Sequence, residues 1–326
     1  MTAGRQSILS GRGPWVAGLA GAAGAGLLVY LIADIGAASI ATQVAGLGTV
    51  LPAVLVITGL KYPLQAAGWR LALPPGARPP WAESISATIT GDALGYVTWA
   101  GPFTGEPIRA LLIRRSTPLV AGIAAGAAER GLYNLTAFGL VLVAAVMLTA
   151  DEQGLIAWIV ASLGIASVVG IVMRRRRHRR GKSEADAMGN RPASAQSGRA
   201  ALLEALAMLW THRRGALPAI AALCLVQHGL LVLEAYLLLG VLSGEVTFQT
   251  ALYFEAVTKL VNTVGVVVPG RIGISEGGSA LLADVLGLSA SYGLSLALMR
   301  RVRALIWTGI GLTLLPFQEA RARSSG

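Results

Sequence analysis

Charged residues are scarce in this sequence: of its 326 residues, 13% are charged and 54% are hydrophobic. Soluble domains carry about 25% charged residues, so the composition excludes an ordinary soluble enzyme. About 20 consecutive apolar residues are enough to cross a bilayer. Windows such as 44–61, 132–150 and 216–240 hold almost no charge. The sequence therefore predicts an integral membrane protein that crosses the bilayer several times.

Residues that bind metals or perform catalysis are also few. The single cysteine, Cys224, allows no internal disulfide. His228 lies four residues after Cys224, but no further ligands cluster nearby, so packing is the favoured interpretation of both. The sequence lacks the phosphate-binding loop of nucleotide enzymes, the nucleophile elbow of hydrolases and the kinase signature. We therefore expect no metal, no cofactor and no enzymatic activity.

Basic residues outnumber acidic ones, and the net charge is +11. The densest basic tract, Arg174–Arg180, directly follows an apolar segment. This position favours an anchor for anionic headgroups over a nucleic-acid arm. We expect membrane lipids with polar or anionic headgroups as partners, with a lipid-biosynthesis protein as a further candidate. The positive-inside rule predicts cytoplasmic termini in a bacterial-type inner membrane.

Long apolar segments predict the transmembrane helices of an all-α polytopic fold. A run of about 20 such residues has the length of one crossing. The first segment is too long for the hydrophobic region of a signal peptide, and no clear cleavage site follows it. The six segments are 15–36, 44–72, 117–149, 154–173, 215–241 and 290–315.

Two further apolar stretches, 83–115 and 246–288, are interrupted by glycine and proline. The interruptions are Gly101–Pro107 (GPFTGEP) and Pro269–Gly278 (PGRIGISEGG). Backbone that leaves a helix at membrane depth must be buried in protein or face water. The helical pieces beside each interruption are short for a full crossing. We therefore predict two re-entrant or broken helical hairpins.

Charged residues in and after the two interrupted stretches repeat at an offset of 170 residues. Glu106 aligns with Glu276, and Arg130 aligns with Arg300, at a spacing that is improbable by chance in so apolar a chain. The predicted topology inserts the two hairpins from opposite sides of the membrane. This arrangement is an inverted repeat, which is typical of transporters with a substrate site near the midplane.

The repeat divides the chain into four parts. The first is an N-terminal transmembrane helix, and the two halves of the repeat are separated by a basic cytoplasmic linker with an amphipathic helix. The parts are 1–40, 41–173 (first half), 174–214 (linker) and 215–326 (second half).

Charges inside a membrane cost at least about 2.5–3.5 kcal/mol each at a helix centre, so they need partners or a water-filled cavity. Arginines and free backbone N–H groups at helix starts both bind phosphate. One hypothesis is that these charges line a central cavity for a lipid headgroup. The predicted substrate-binding residues are Glu106, Arg109, Arg130, Arg271, Glu276, Arg300, Asp92, Asn262 and Lys259.

A structural role for these charges stays open beside that hypothesis. Glu106 follows Thr104 and Glu276 follows Ser275, and each pair could cap a helix start. In this interpretation Glu106 forms an ion pair with Arg130, and Glu276 forms one with Arg300. Lys259 and Glu255, four residues apart, predict a salt bridge. No partner can be assigned to Lys61 or Glu234.

The residues around both interruptions resemble a known family. The run VVPGRIGISEGGSALLADVLGLS with ALMRRVRAL, and the run GPFTGEPIRALLIRR with AAERGLYNL, are similar to the two signatures of the lysylphosphatidylglycerol synthase transmembrane-region, or flippase-like, family. The resemblance covers roughly 40–315. The stretch from Leu233 to Arg303 also resembles the hopanoid-associated, HpnL-like branch. The first interruption departs from the second, because no Pro-Gly pair precedes Glu106.

This resemblance implies a translocase that moves a polar lipid between leaflets. In bifunctional members an aminoacyl-transferase domain follows, and we expect this chain to lack it. Two alternatives remain. One is a membrane-embedded enzyme acting on lipid-linked substrates. The other is a scaffold that holds a biosynthetic partner through residues 174–214.

Overall fold

A computed structural model describes residues 26, 29–98, 102–150, 214–264 and 272–324. These residues form helices and turns without a β-strand, which confirms the predicted all-α class. The apolar segment 154–173, the basic linker up to residue 213 and Arg271 lie outside the described residues, as does most of 15–36.

Nine α-helices in the described part of the chain have defined bounds, and residues 29–35 are also helical. A helix α1 precedes two groups of four, here called the first half (α2–α5) and the second half (α6–α9). The helices are α1 Ala37–Leu47, α2 Leu51–Ala72, α3 Trp81–Val97, α4 Pro102–Leu112, α5 Leu119–Ala150, α6 Leu217–Ser243, α7 Phe248–Val264, α8 Ile274–Val285 and α9 Ala290–Ser324.

Among the residues that the structure describes, three helical stretches are long and apolar enough to cross a membrane: Ala37–Ala72, Leu119–Leu148 and Leu217–Ser243. Helix α9 has 35 residues, and at 1.5 Å per residue it measures about 50 Å, more than the roughly 30 Å of a bilayer core. The protein is integral to the membrane. The number of crossings, six plus two hairpins, stays a prediction.

The first interrupted stretch forms two short helices, α3 with 17 residues and α4 with 11. Their lengths of about 25 Å and 17 Å are short of a full crossing. Helix α4 begins at Pro102, so Thr104 lies inside it and the predicted cap at Thr104 is wrong. Proline has no backbone N–H, and this costs nothing at the first helical position, where an N–H would have no partner within the helix. The Thr104 hydroxyl lies 2.5 Å from the Thr98 hydroxyl instead.

The second interrupted stretch forms α7 and α8. Gly273 precedes α8 with a positive φ of 80°, which glycine adopts without steric cost. Its backbone N–H donates to Glu276 Oε2 over 2.9 Å. Glu276 therefore caps the start of α8 as predicted, although the cap residue is Gly273 and not Ser275.

The two halves have matching helices. Adding 170 to the bounds of α2–α5 reproduces the bounds of α6–α9 to within four residues at both ends of every helix. Helix α2 packs against α6, α3 packs against α9, and α7 packs against α5. Each hairpin therefore contacts the long helix of the other half. The inverted orientation of the repeat stays a prediction.

The backbones of α3 and α4 are in direct contact at two glycines. A Cβ on Gly91 would lie 2.9 Å from the carbonyl oxygen of Gly105, and a Cβ on Gly105 would lie 2.8 Å from that of Gly91. No side chain fits between these backbones. Asp92 and Glu106, the next residues along the chain, both line the cavity described below.

Candidate functional site

A cavity of about 380 Å³ lies between the two halves. Its wall is formed by the first hairpin (α3 and α4), the second hairpin (α7 and α8), the long helices α5 and α9, and helices α2 and α6. Nine charged side chains line the wall, although the sequence as a whole is poor in charge. The basic ones are Lys61, Arg130, Lys259, Arg300, Arg301 and Arg303, and the acidic ones are Asp92, Glu106 and Glu255.

Lys61 has a partner that the sequence did not identify. Its Nζ lies 3.4 Å from Oδ2 of Asp92, which joins α2 to the first hairpin. The two side chains are 23% and 30% exposed, so both remain accessible from the cavity.

Glu106 is shared by two arginines. Its Oε1 lies 3.8 Å from Arg130 Nε, the contact that the repeat predicted. Its Oε2 lies 3.5 Å from Nη1 of Arg109. Arg109 is buried and stacks on Trp69, with 3.8 Å between the guanidinium carbon and the ring centroid. Arg109 therefore lies behind the cavity wall.

Glu129 is a buried acid that was absent from the predicted site. Its Oε2 lies 3.7 Å from Arg109 Nη1, so one guanidinium faces two carboxylates. The sequence contains one signal that could have identified Glu129, namely an acidic residue next to Arg130 inside an apolar helix. The repeat comparison passed over it, because Met299 stands at the matching position.

Glu276 forms its ion pair with Arg301, so the predicted pair with Arg300 is wrong. Successive residues of a helix point about 100° apart, because one turn takes 3.6 residues. Arg301 therefore faces α8, whereas Arg300 faces α6 and α7. Glu276 itself is fully buried behind the wall.

Arg300 contacts two acids of the second half. Its Nη2 donates to Glu255 Oε2 over 2.8 Å, and its Nε lies 3.6 Å from Glu234 Oε1. Glu234 also pairs with Arg303. Lys259 Nζ lies 2.8 Å from Glu255 Oε1, which confirms the predicted salt bridge between these two residues.

Each of the ion pairs described above joins two residues of the same half. The contacts between the halves described below are hydrogen bonds. Lys259 Nζ donates to the neutral hydroxyl of Tyr133 over 2.8 Å. Thr90 on α3 donates to the carbonyl of Gly311 on α9 over 3.1 Å, and Gln318 donates to Thr90 over 2.9 Å. None of these three contacts between the halves is an ion pair.

His228 on α6 lies against α5. Its Nε2 is 3.1 Å from the Thr136 hydroxyl and 3.2 Å from the Tyr133 carbonyl oxygen. Cys224 is buried among apolar side chains. Within the described ranges, no three His, Cys, Asp or Glu side chains are grouped closely enough to hold a metal ion. These contacts support packing as the role of both residues.

The structure brings most of the predicted site residues to one place. Two of them, Arg109 and Glu276, are buried and absent from the cavity lining. Arg271 lies outside the described residues. The predicted residues that line the cavity are Asp92, Glu106, Arg130, Lys259, Asn262 and Arg300.

Comparison with known proteins identifies the family. No curated protein matches the chain, and no solved structure does. The family model described as "Lysylphosphatidylglycerol synthase TM region" matches residues 15–311. That range includes both hairpins and every residue that lines the cavity. The chain belongs to the lysylphosphatidylglycerol synthase TM region family, a family associated with membrane lipids.

Proposed function

We propose that this protein moves a polar lipid with an anionic headgroup between the leaflets of the membrane. The headgroup passes through the cavity while the acyl chains stay in the bilayer. One observation carries the proposal: both halves contribute to a cavity wall that has six basic side chains and three acidic ones. An excess of cations suits a headgroup that carries phosphate.

Burial strengthens this positive character in the second half. The three acids that pair with its arginines, Glu234, Glu255 and Glu276, are 0–2% exposed, whereas those arginines are 11–23% exposed. Glu234 and Glu276, which do not line the cavity, thus hold the arginines in position from behind. A headgroup in the cavity would meet the guanidinium groups, which bind phosphate through charge-assisted hydrogen bonds.

The matching helices of the two halves supply a mechanism. In transporters built from inverted repeats, one half rocks against the other around a fixed site, and the site opens to each side in turn. We expect the same motion here, with both termini in the cytoplasm of a bacterial-type cell. In this proposal the protein carries lipid and performs no chemistry on it. The HpnL-like branch stays a prediction.

A leaflet-translocation assay tests the proposal. Purified protein is reconstituted into liposomes with fluorescent phosphatidylglycerol, and an impermeant reductant reports how much of the label reaches the outer leaflet. We expect faster translocation than in protein-free liposomes. Arg130→Gln, which changes a cavity-lining cation, should slow translocation at least several-fold. Arg114→Gln makes the same change on an exposed arginine that does not line the cavity, and should have no effect.

Two results would contradict the proposal. Translocation no faster than in protein-free liposomes would refute the proposed transport function. Formation of a new lipid product by the purified protein, from lipid and a donor, would favour the membrane-embedded enzyme instead.

A further inference from the structure

Arg109 and Glu129 form an ion pair that is almost completely closed to solvent. Each side chain is 2% exposed, and 3.7 Å separates Arg109 Nη1 from Glu129 Oε2. Glu129 Oε2 has no hydrogen-bond partner among the described residues, and the same is true of Arg109 Nε and Nη2. Burying charges without such hydrogen bonds is expensive. The pair is therefore a poor stabiliser of the fold.

The second half packs the same positions without charge. The offset of 170 residues places Ser279 at the position of Arg109 and Met299 at that of Glu129. Both are buried, at 8% and 2% exposure. The same chain thus shows that this arrangement of helices does not need the ion pair. The charged pair is an addition specific to the first half, and it points to a task other than packing.

We propose that Glu129 is a proton-binding site whose occupancy decides whether Arg130 is free to bind a lipid headgroup. The inference rests on the proposed function and adds a coupled ion to it. A proton that enters from water in the cavity binds Glu129 Oε2 and converts the carboxylate to a neutral acid. On release it returns to water. No covalent bond other than O–H forms or breaks.

The geometry links Glu129 to Arg130 through two intermediate residues. Arg109 Nη1 lies 3.5 Å from Glu106 Oε2 and 3.7 Å from Glu129 Oε2, so its charge is divided between two acids. Once Glu129 is neutral, Arg109 compensates Glu106 alone. Arg130, which lies 3.8 Å from Glu106 and is 31% exposed, can then turn to a phosphate. One proton and one anion enter together, and the net charge of the site stays unchanged.

Of the three acids Asp92, Glu106 and Glu129, Glu129 has the negative charge that nearby cations neutralise least. Helix α3 contributes Asp92, which has Lys61 as its own partner. Glu106 has two arginines within 4 Å. Arg130 neighbours Glu129 on the same helix. Cys224 on α6 is close enough to interact electrostatically with Glu129, and from α2 Gly68, which does not titrate, lies against the Glu129 side chain.

Calorimetry on the full-length protein in detergent tests the proposal. Short-chain phosphatidylglycerol is titrated in two buffers of different ionisation enthalpy, which gives the number of protons taken up per lipid. The wild type should take up about one proton per lipid, by the linkage between proton and ligand binding. Glu129→Gln, which mimics the protonated acid, should take up none and bind equally well across the pH range. Wild-type binding without proton uptake would overturn the proposal, as would unchanged uptake in Glu129→Gln.

A second variant protects the test against misfolding. The double substitution Arg109→Ser with Glu129→Met copies the residues of the second half, and should fold and lose proton uptake. If the wild type binds no lipid at all, that result counts against the proposed function only. The proton site is then judged by infrared difference spectra between high and low pH. A carbonyl band of a protonated carboxylic acid should appear in the wild type and vanish in Glu129→Gln. Its persistence in that variant, or its absence from the wild type, would overturn the site.

Discussion

Lys259 on α7 donates a hydrogen bond from its ammonium group to the hydroxyl of Tyr133 on α5, over 2.8 Å. This bond joins the second hairpin to the long helix of the first half. Both residues line the cavity. Any motion that separates α7 from α5 at this level must break it.

Removing the Tyr133 hydroxyl should therefore loosen the junction between the halves. A hydrogen bond to a charged group contributes roughly 1.5–3 kcal/mol. In a Cys224→Ala background, a cysteine placed at Asn262 reports access to the cavity through its rate of alkylation. We expect Tyr133→Phe to raise this rate several-fold. Tyr253→Phe is the control, since the Tyr253 hydroxyl accepts a hydrogen bond from Gln249 of its own helix. Equal rates in both variants would contradict a role for Tyr133 at the junction.

Glu234 should be essential for stability. Its side chain is fully buried and pairs with Arg300 and Arg303. Glu234→Gln leaves two cations without their shared acid, and breaking a buried pair costs about 3–5 kcal/mol. Thermal unfolding in detergent should show a large drop in Tm. The exposed Glu245→Gln should leave Tm unchanged, and equal effects of both variants would refute the argument.

A double-mutant cycle distinguishes the two possible partners of Glu276. Residues in direct contact show coupling energies of about 0.5–3 kcal/mol, whereas independent residues are additive. The free energy of unfolding should show coupling between Glu276→Gln and Arg301→Gln, because these residues form the observed ion pair. Glu276→Gln and Arg300→Gln should be additive. Coupling of Glu276 with Arg300 and not with Arg301 would contradict the observed pair and support the Glu276–Arg300 pair that the repeat predicted.

The backbone contact between α3 and α4 should not tolerate a methyl group. Gly91→Ala would place a Cβ 2.9 Å from the carbonyl oxygen of Gly105. Overpacking of this kind costs typically about 1–3 kcal/mol, so thermal unfolding should occur at a lower temperature. Gly131→Ala is the matched control in α5, where a Cβ meets nothing within 4 Å. Since alanine favours helices over glycine, that control should be neutral or stabilising. A neutral Gly91→Ala would show that the two helices can separate at this point.

The sequence was most informative where charge is rare. In so apolar a chain, the ionisable residues and the glycine and proline interruptions stand out, and they located the two interrupted stretches and five of the nine charged residues that line the cavity. The salt bridge between Lys259 and Glu255 followed from helical spacing alone. Such signals depend only on composition and on local geometry.

Three-dimensional packing decided the rest. The choice between Arg300 and Arg301 as partner of Glu276 depends on the rotation of α9, which a fixed sequence offset cannot give. The partner of Lys61 lies on another helix, and no local spacing connects it with Asp92. Glu129 has no charged counterpart in the second half, so a search for repeated charges could not find it.

The pairing of charges within the first half determines how strongly the membrane potential acts on it. In the first half, the cations Lys61, Arg109 and Arg130 balance the anions Asp92, Glu106 and Glu129. Moving one net charge across the membrane field involves about 2.3 kcal/mol per 100 mV. A cluster whose charges cancel can shift with its half while the voltage does almost no work on it. The resting potential therefore leaves this cluster nearly indifferent to which side of the membrane the cavity faces.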